Sequence, residues 1–406
     1  MRRERLRHLA EVRVSNVDKK MVDGEVPVHL CNYTDVYYNE QITADLDFME
    51  ATASPDQCLT FQLQPGDVLL TKDSETPDDI GVCAVVAETR PRLLCGYHLA
   101  LIRPRSPLVE GRYLRHALAS SPAKAEMTSR AMGITRYGLR SSAIGDLTIP
   151  LPVLKAQRTI SDYLDRETAR IDAVIEMKQR AASLAKERLI AAVEAEMSVG
   201  DDIVALRRLA TSITTGSRDW SDMVGDGDGY FVRAMNLRRG ATAMDLGTDR
   251  LGRLIPPTSA EARRARLAPG DVVVCVTGYP GSIGYWDGRL SPAFVSQHVA
   301  AVRPKPGVAG RWLSFALLAP SVQGQIEARQ YGGTKQGLGL DDLKALRIKV
   351  PSSERRERAA AALEKAETNM LRITSSIERQ INLLEEKRQA LITAAVTGQI
   401  VIPRAA

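Results

Sequence analysis

The sequence predicts an α+β chain, with two similar β-rich domains separated by two long helices forming an antiparallel coiled coil, the halves related as a pseudo-two-fold repeat. Three observations lead there. A set of strings recurs in the same order at an offset of about 200 residues, the mark of an internal duplication. The segments carrying those strings are rich in glycine, proline and short β-branched runs. Each is followed by a long stretch free of both proline and glycine, Ala156 to Met197 and Ser352 to Thr397.

The repeat comes first. Leu63-Gln-Pro-Gly-Asp-Val-Leu-Leu-Thr71 returns as Leu267-Ala-Pro-Gly-Asp-Val-Val-Val-Cys275. Gly96-Tyr-His98 with Leu101-Ile-Arg-Pro104 returns as Val295-Ser-Gln-His298 with Ala301-Val-Arg-Pro304. Gly133 and Gly138-Leu139 match Gly333 and Gly337-Leu338, and Leu147-Thr-Ile-Pro-Leu-Pro152 matches Leu346-Arg-Ile-Lys-Val-Pro351. Leu189-Ile-Ala-Ala-Val193 is mirrored by Leu391-Ile-Thr-Ala-Ala-Val396. The domains are therefore placed at 1–150 and 201–350, with helical spacers at 151–200 and 351–406.

Within the domains, Val68–Thr71, Val82–Val86 and Val272–Val276 read as strands between turn signals. Short helices are expected at Tyr113–Ala119 and Trp312–Leu318. The spacers are crowded with Ala, Glu, Arg, Lys and Leu, strong helix formers, and Gly200 and Gly398 stand where a helix C-cap favours glycine. Leu363, Met370, Ile377, Leu384 and Leu391 recur every seven residues, with Ile373 among them. That repeat keeps one seam against a partner helix. Leu164, Ile171, Ile175, Ala182, Leu189 and Val193 form a less regular seam on the first helix. Two separate dimerising coiled coils are the alternative to mutual pairing.

With 406 residues, 44% of them hydrophobic and 26% charged, the chain suits two or three globular domains. A net charge of +6 favours an anionic partner, although many proteins are mildly basic. Cys31, Cys58, Cys83, Cys95 and Cys275 are scattered singly, without metal-ligand spacing, and read as buried reduced thiols. No apolar segment follows Met1-Arg2-Arg3-Glu4-Arg5, and no uncharged apolar run reaches membrane length, so a cytoplasmic location is expected.

The motifs of DNA enzymology are missing. The sequence holds no GxxxxGK[ST] phosphate loop, no GxGxxG after a strand, and no HExxH. Ile255-Pro-Pro-Thr258 lacks the amide or acid and the aromatic ring of an adenine methyltransferase tetrapeptide. No catalytic or metal-binding residue is assigned.

Taken with the order of parts, several strings resemble the specificity subunit of type I restriction–modification systems across essentially the whole chain. Ile149-Pro-Leu-Pro152, Gln157-Arg-Thr-Ile160, Tyr163-Leu164, Ile171-Asp172 and Ile175 are similar to the family's central conserved region. Glu386-Lys-Arg-Gln-Ala-Leu-Ile392 with Ala395-Val-Thr-Gly398 is similar to the end of its C-terminal one, and Leu267–Asp271 with Thr277-Gly278 and Gly281 to its target-recognition domain. Ser352-Ser-Glu-Arg-Arg-Glu357 departs from the expected Glu-Gln pair, and Ala191-Ala-Val-Glu194 lacks the Thr-Gly ending.

The resemblance implies a non-catalytic subunit whose two target-recognition domains read a bipartite, asymmetric site on double-stranded DNA, the helices setting the unread spacer. It implies two methyltransferase subunits, which carry S-adenosylmethionine and flip an adenine, and restriction motor-nuclease subunits as partners. The charges Arg355, Arg356, Glu357, Arg358, Glu385, Glu386, Lys387 and Arg388 are either a solvated coiled-coil face or a docking surface for them. A coiled-coil scaffold without sequence-specific DNA binding is the competing reading.

Candidate DNA contacts follow from loop position and side-chain chemistry. Thr71, Lys72 and Asp73 follow a strand in the first half, and Thr277, Gly278, Tyr279 and Gly281 are their counterparts. The repeat-matched His98 and His298 are donors or core histidines. Arg136, Tyr137, Thr334, Lys335 and Gln336 lie in glycine-flanked loops. Arg233, Asn236, Arg238 and Arg239 form a stretch that tracks phosphates or faces solvent.

Overall fold

The computed structural model describes residues 2–402, apart from 201, 219, 221–223, 257, 334 and 335. The chain divides into two compact units, Met1–Glu176 with Gln380–Ala406, and Met177–Arg379. The long helices run from Leu154 to Met197 and from Ser353 to Thr397, so each contributes one half to each unit. The helical spacers are thus divided between the units, and α and β structure mix as expected.

The first unit is built on a sheet whose strands lie in the order Ala10–Val14, Leu99–Pro104, Val68–Thr71, Cys83–Val86, Gln41–Ile42. Strand alternation divides its side chains between two cores. Val68, Leu70, Ala100 and Ile102 face a core shared with the short helix Gly111–Leu118 and the long helices. Leu69, Leu99 and Leu101 face a second core, closed by the sheet Met49–Ala53, Val26–Cys31, Leu93–Cys95. The last two of these strands run parallel.

The second unit repeats the plan. Its sheet orders Ala210–Thr215, Val299–Pro304, Val272–Cys275 and Ile283–Tyr285, and its three-stranded sheet again pairs one strand, Val224–Val232, in parallel with Ala293–Val295. Val272, Val274, Ala300 and Val302 face the helices, while Val273, Cys275, Val299 and Ala301 face the other core. The β-rich part of each unit also begins with a strand paired antiparallel to the one that precedes the following long helix: Arg3–Arg5 with Thr148–Pro150, and Asp202–Ala205 with Arg347–Val350. The five cysteines are unpaired thiols, and only Cys58 is not fully buried. Among the described residues no helix is long and apolar enough to cross a membrane.

The recurring Pro-Gly-Asp string has a structural cause. Gly66 and Gly270 sit at φ of +92° and +90°, in the left-handed region that glycine alone enters freely. The next residue, Asp67 or Asp271, is 2% exposed and accepts from the backbone N–H of Gln64 or Ala268, each at 2.8 Å. Both its oxygens also receive the arginine of the distant Arg-Pro string. Arg103 donates at 2.8 and 2.7 Å, Arg303 at 3.0 and 2.7 Å. Each turn then abuts a helix start, because a Cβ on Gly111 or Gly310 would run into the carbonyl of Gly66 or Gly270. The strings recur because they form one clamp, built twice.

The helix halves pair antiparallel inside each unit. In the first, Ile160 and Leu164 share a core with Ile392, Ala395 and Val396, while Asp172 receives Arg388 at 2.8 Å. In the second, Leu189 and Val193 pack with Leu363 and Met370, and Arg355 lies 3.7 Å from Glu196. The expected heptad seam is present, with Leu363 and Met370 buried and Ile377, Leu384 and Leu391 half-buried, but Ile373 is exposed. The second helix ends in a paired cap: Gly398, at φ +76°, donates to Ala395 O and Gln399 donates to Ala394 O. Arg355, Arg356 and Arg388, expected on an outward charged face, are turned to partners within the chain, Arg356 over the Trp312 ring at 5.5 Å. Glu357, Arg358, Glu385, Glu386 and Lys387 remain exposed.

Ion pairs tie the short helix of each unit to its long helices. Arg112 reaches Asp162 at 3.0 Å and Asp165 at 3.1 Å; its repeat counterpart Arg311 reaches Glu364 at 3.3 Å and the buried Glu367 at 2.7 Å. In the first unit, buried His116 also bonds Asp165 at 2.7 Å, and Glu40 bridges Arg115 and Arg388. Burial pushes the His116 imidazole below its ordinary pKa. Burial works against the charge of Asp165 and Glu40 too, but the hydrogen bonds and charges of His116 and Arg112, and of Arg115 and Arg388, outweigh it and hold both carboxyls low.

All three groups therefore titrate lower when folded than unfolded, so the unfolded chain binds more protons as pH falls. Their stabilisation is present at neutral pH. The His116 share is lost as pH drops below about 6.5, and the carboxylate shares below about 4. Thermal melts between pH 8 and 5 should show the melting temperature falling, and His116→Phe, which copies Phe315 of the other unit, should flatten that slope. A slope unchanged in the variant would remove His116 from this account.

Candidate nucleic-acid interface

Each unit brings the same three segments to one place. The first follows the buried strand Val68–Thr71 or Val272–Cys275. The second follows Val26–Cys31 or Val224–Val232, whose last residues pair in parallel with a neighbour. The third is a hairpin loop closed by reciprocal backbone bonds, Met132 with Gly138 at 3.1 and 2.9 Å, Tyr331 with Gly337 at 3.0 and 2.9 Å. Leu139 N–H donates to Lys72 O and Leu338 N–H to Val276 O, both at 2.8 Å, so the loop is moored identically in both units. The backbone carbonyls of His98 and His298 accept from Lys72 and Val276, so the two positions are equivalent in the repeated frame.

In the first unit the three segments wall a cavity of about 540 Å³, lined by Asp73, Glu75, Asp79, His98 and Arg136 together with Tyr33, Tyr37 and Tyr38. Asp73 binds Lys72 Nζ at 2.7 Å and His98 Nδ1 at 2.9 Å, while Lys72 lies 4.8 Å over the Tyr97 ring. Tyr37 donates to Asp79 at 3.0 Å, and that carboxylate raises the phenol pKa. Tyr33 and Tyr37 stack at 5.4 Å between ring centroids. This wall carries hydrogen-bond donors and acceptors on an aromatic platform, which suits base edges and stacking faces.

In the second unit the cavity holds about 750 Å³ and is lined by Arg239, Tyr279, Gly281, Gln330 and Gln336, together with Glu327. Gly278 and Gly281 take φ of +91° and +93°, turning the loop tightly enough for Gly278 N–H to donate to Gln336 O at 2.9 Å. Thr277 forms a β-bridge with Gly337 of the hairpin loop.

The expected residues separate into two groups. Lys72, Asp73, His98 and Arg136 gather in or beside one cavity, and Arg239, Tyr279, Gly281 and Gln336 line the other. Thr71 and Asn236 are fully buried, correcting their placement at the surface. The Thr71 hydroxyl accepts from Val82 N–H, and the Asn236 amide donates to the carbonyls of Asp245 and Arg250. Tyr137 pairs with Ser74 and packs on the core. Arg233 donates to Arg250 O, Arg238 lies 3.7 Å from Asp245, and His298 is half-buried beside Gln297. Thr334 and Lys335 lie outside the described residues. Sequence reasoning missed Lys19, Tyr33, Tyr37, Tyr38, Gln323 and Gln330; the aromatic run Tyr33-Thr-Asp-Val-Tyr-Tyr38 was the available signal.

No family model matches the chain. It is 21% identical over 321 residues to the type I restriction enzyme EcoBI specificity subunit of Escherichia coli, a match covering 71% of this chain and 65% of that protein. The chain thus spans about two thirds of the length of the curated relative it matches. Among solved structures, a chain described under complex assembly and conformational transition of the type I restriction–modification system superposes with a TM-score of 0.70 at 18% identity, over 98% of each chain. The HsdS subunit from Thermoanaerobacter tengcongensis aligns at a TM-score of 0.47 and 19% identity, over 98% of this chain and 97% of that one. The chain is similar in sequence to a type I specificity subunit and shares its fold with a chain of a type I system.

Proposed function

We propose that this chain is the DNA sequence-recognition subunit of a type I restriction–modification complex, each unit reading one half of a bipartite, asymmetric site. One observation supports the reading above all: the same three loops wall a cavity in both units, yet the linings differ, rich in carboxylates and tyrosines in one and in glutamine amides in the other. A common frame with unlike linings suits a site of two unequal halves, since base identity is read by the donor and acceptor pattern of the side chains. The chain itself contributes recognition, without catalysis. Adenine methylation falls to two methyltransferase subunits carrying S-adenosylmethionine, and cleavage to restriction subunits. The exposed Glu357, Arg358, Glu385, Glu386 and Lys387 offer polar docking points for such partners.

The test is methylome sequencing of a host carrying this gene with its neighbours. A single two-part motif with methylated adenine in each half is expected, disappearing when the gene is deleted. A scaffold that binds only protein leaves the deletion strain with the same methylated motif.

A further inference from the structure

We propose that Arg239 reads a guanine in the half-site taken by the second unit; this rests on the function proposed above and names the base chemistry of that cavity. Arg239 differs from its neighbours. Arg233 is held by the Arg250 carbonyl and Arg238 by Asp245, whereas Arg239 has no hydrogen-bond or ion-pair partner among the described residues. Its guanidinium lies 4.2 Å over the ring of Tyr279, itself 63% exposed. A guanidinium lying on an aromatic face is fixed in plane while its N–H edge stays open, so little rotamer freedom is lost when that edge meets a ligand. A planar fork of donors in a groove matches the two acceptors, O6 and N7, that guanine shows in the major groove.

The other plain role for a free arginine is a phosphate contact, and the cavity wall argues against it. Glu327 lines the same cavity, and its carboxylate repels a phosphodiester, while it can accept from the amino group of a base. Gln330 and Gln336 add amides, the side chains that pair with adenine and other base edges and that phosphate anchoring does not require. In the first unit the arginine lining the cavity, Arg136, is carried by the hairpin loop and not by the segment that corresponds to Arg239. There Lys72 lies over Tyr97 and is already paired with Asp73.

Arg239→Ala and Arg239→Gln decide the matter, read by methylome sequencing in the same host and by competition binding of the purified complex to duplexes changed one base at a time. The natural motif should hold an invariant guanine in one half-site. Arg239→Ala should lower selectivity for that guanine roughly ten- to hundred-fold, leaving the other half-site intact, and Arg239→Gln should move the preference toward adenine. A motif with no guanine whose selectivity drops, or a loss of binding equal at every base position, overturns the assignment. If a variant methylates nothing, the binding ratio between guanine and adenine duplexes is decisive: a ratio equal to that of the natural chain overturns it. A natural chain that specifies no motif at all defeats the proposed function, and this inference with it; a natural motif unaltered by either substitution defeats Arg239 alone.

Discussion

Asp271→Ala is expected to destabilise the second unit by about 2–4 kcal/mol, somewhat less than the roughly 3–5 kcal/mol for breaking a fully buried ion pair because Arg303 is partly exposed. The carboxylate is 2% exposed, caps the turn at Ala268 and receives both donors of Arg303. Deleting it leaves the part-buried Arg303 guanidinium with only the Arg266 carbonyl to donate to, and the Ala268 N–H without its acceptor. The turn it shapes also places the helix start at Gly310 against the Gly270 carbonyl, so the loss extends to the packing of that helix. Asp67→Ala should do the same in the first unit, where Arg103 is the stranded partner. Urea unfolding of the purified chain measures both. A cost under about 1 kcal/mol, the range of exposed pairs, would show that neither clamp holds its unit together.

Inserting seven residues after Glu176 together with seven after Arg379 is expected to change the number of unread bases between the half-sites while keeping every specified letter. Those positions fall where each long helix passes from one unit to the other, so the pairing inside each unit, such as Asp172 with Arg388 and Glu196 with Arg355, keeps its register. Seven residues preserve the heptad face and add about 10 Å of helix, at most about three base pairs of DNA. Methylome sequencing of the variant reads the spacer directly. Altered letters, or an unchanged spacer, would refute a role for the helices in setting the distance. A single insertion in one helix, by contrast, should disturb packing and lower methylation generally.

The sequence alone determined the duplication, because the Pro-Gly-Asp string is bound to its distant Arg-Pro partner by geometry that tolerates few substitutes. It likewise determined the long helices, since stretches without proline or glycine and with an apolar heptad leave the backbone little alternative. Those are local or periodic constraints, legible one segment at a time. Which side chains face the cavities was decided only by the tertiary structure. Thr71 and Asn236 carry chemistry suited to a groove, yet the first is drawn into a strand hydrogen bond with Val82 and the second into a loop held by Asp245 and Arg250. Tyr33, Tyr37 and Tyr38 gave no repeat signal, since the short turn Ala234–Asn236 that follows the corresponding strand of the second unit carries no tyrosine, but the parallel pairing of Val26–Cys31 with Leu93–Cys95 delivers them to the same cavity as Asp73 and Arg136. A frame repeats because its hydrogen bonds and packing constrain it; the lining differs because loop side chains are answerable to their ligand rather than to the fold.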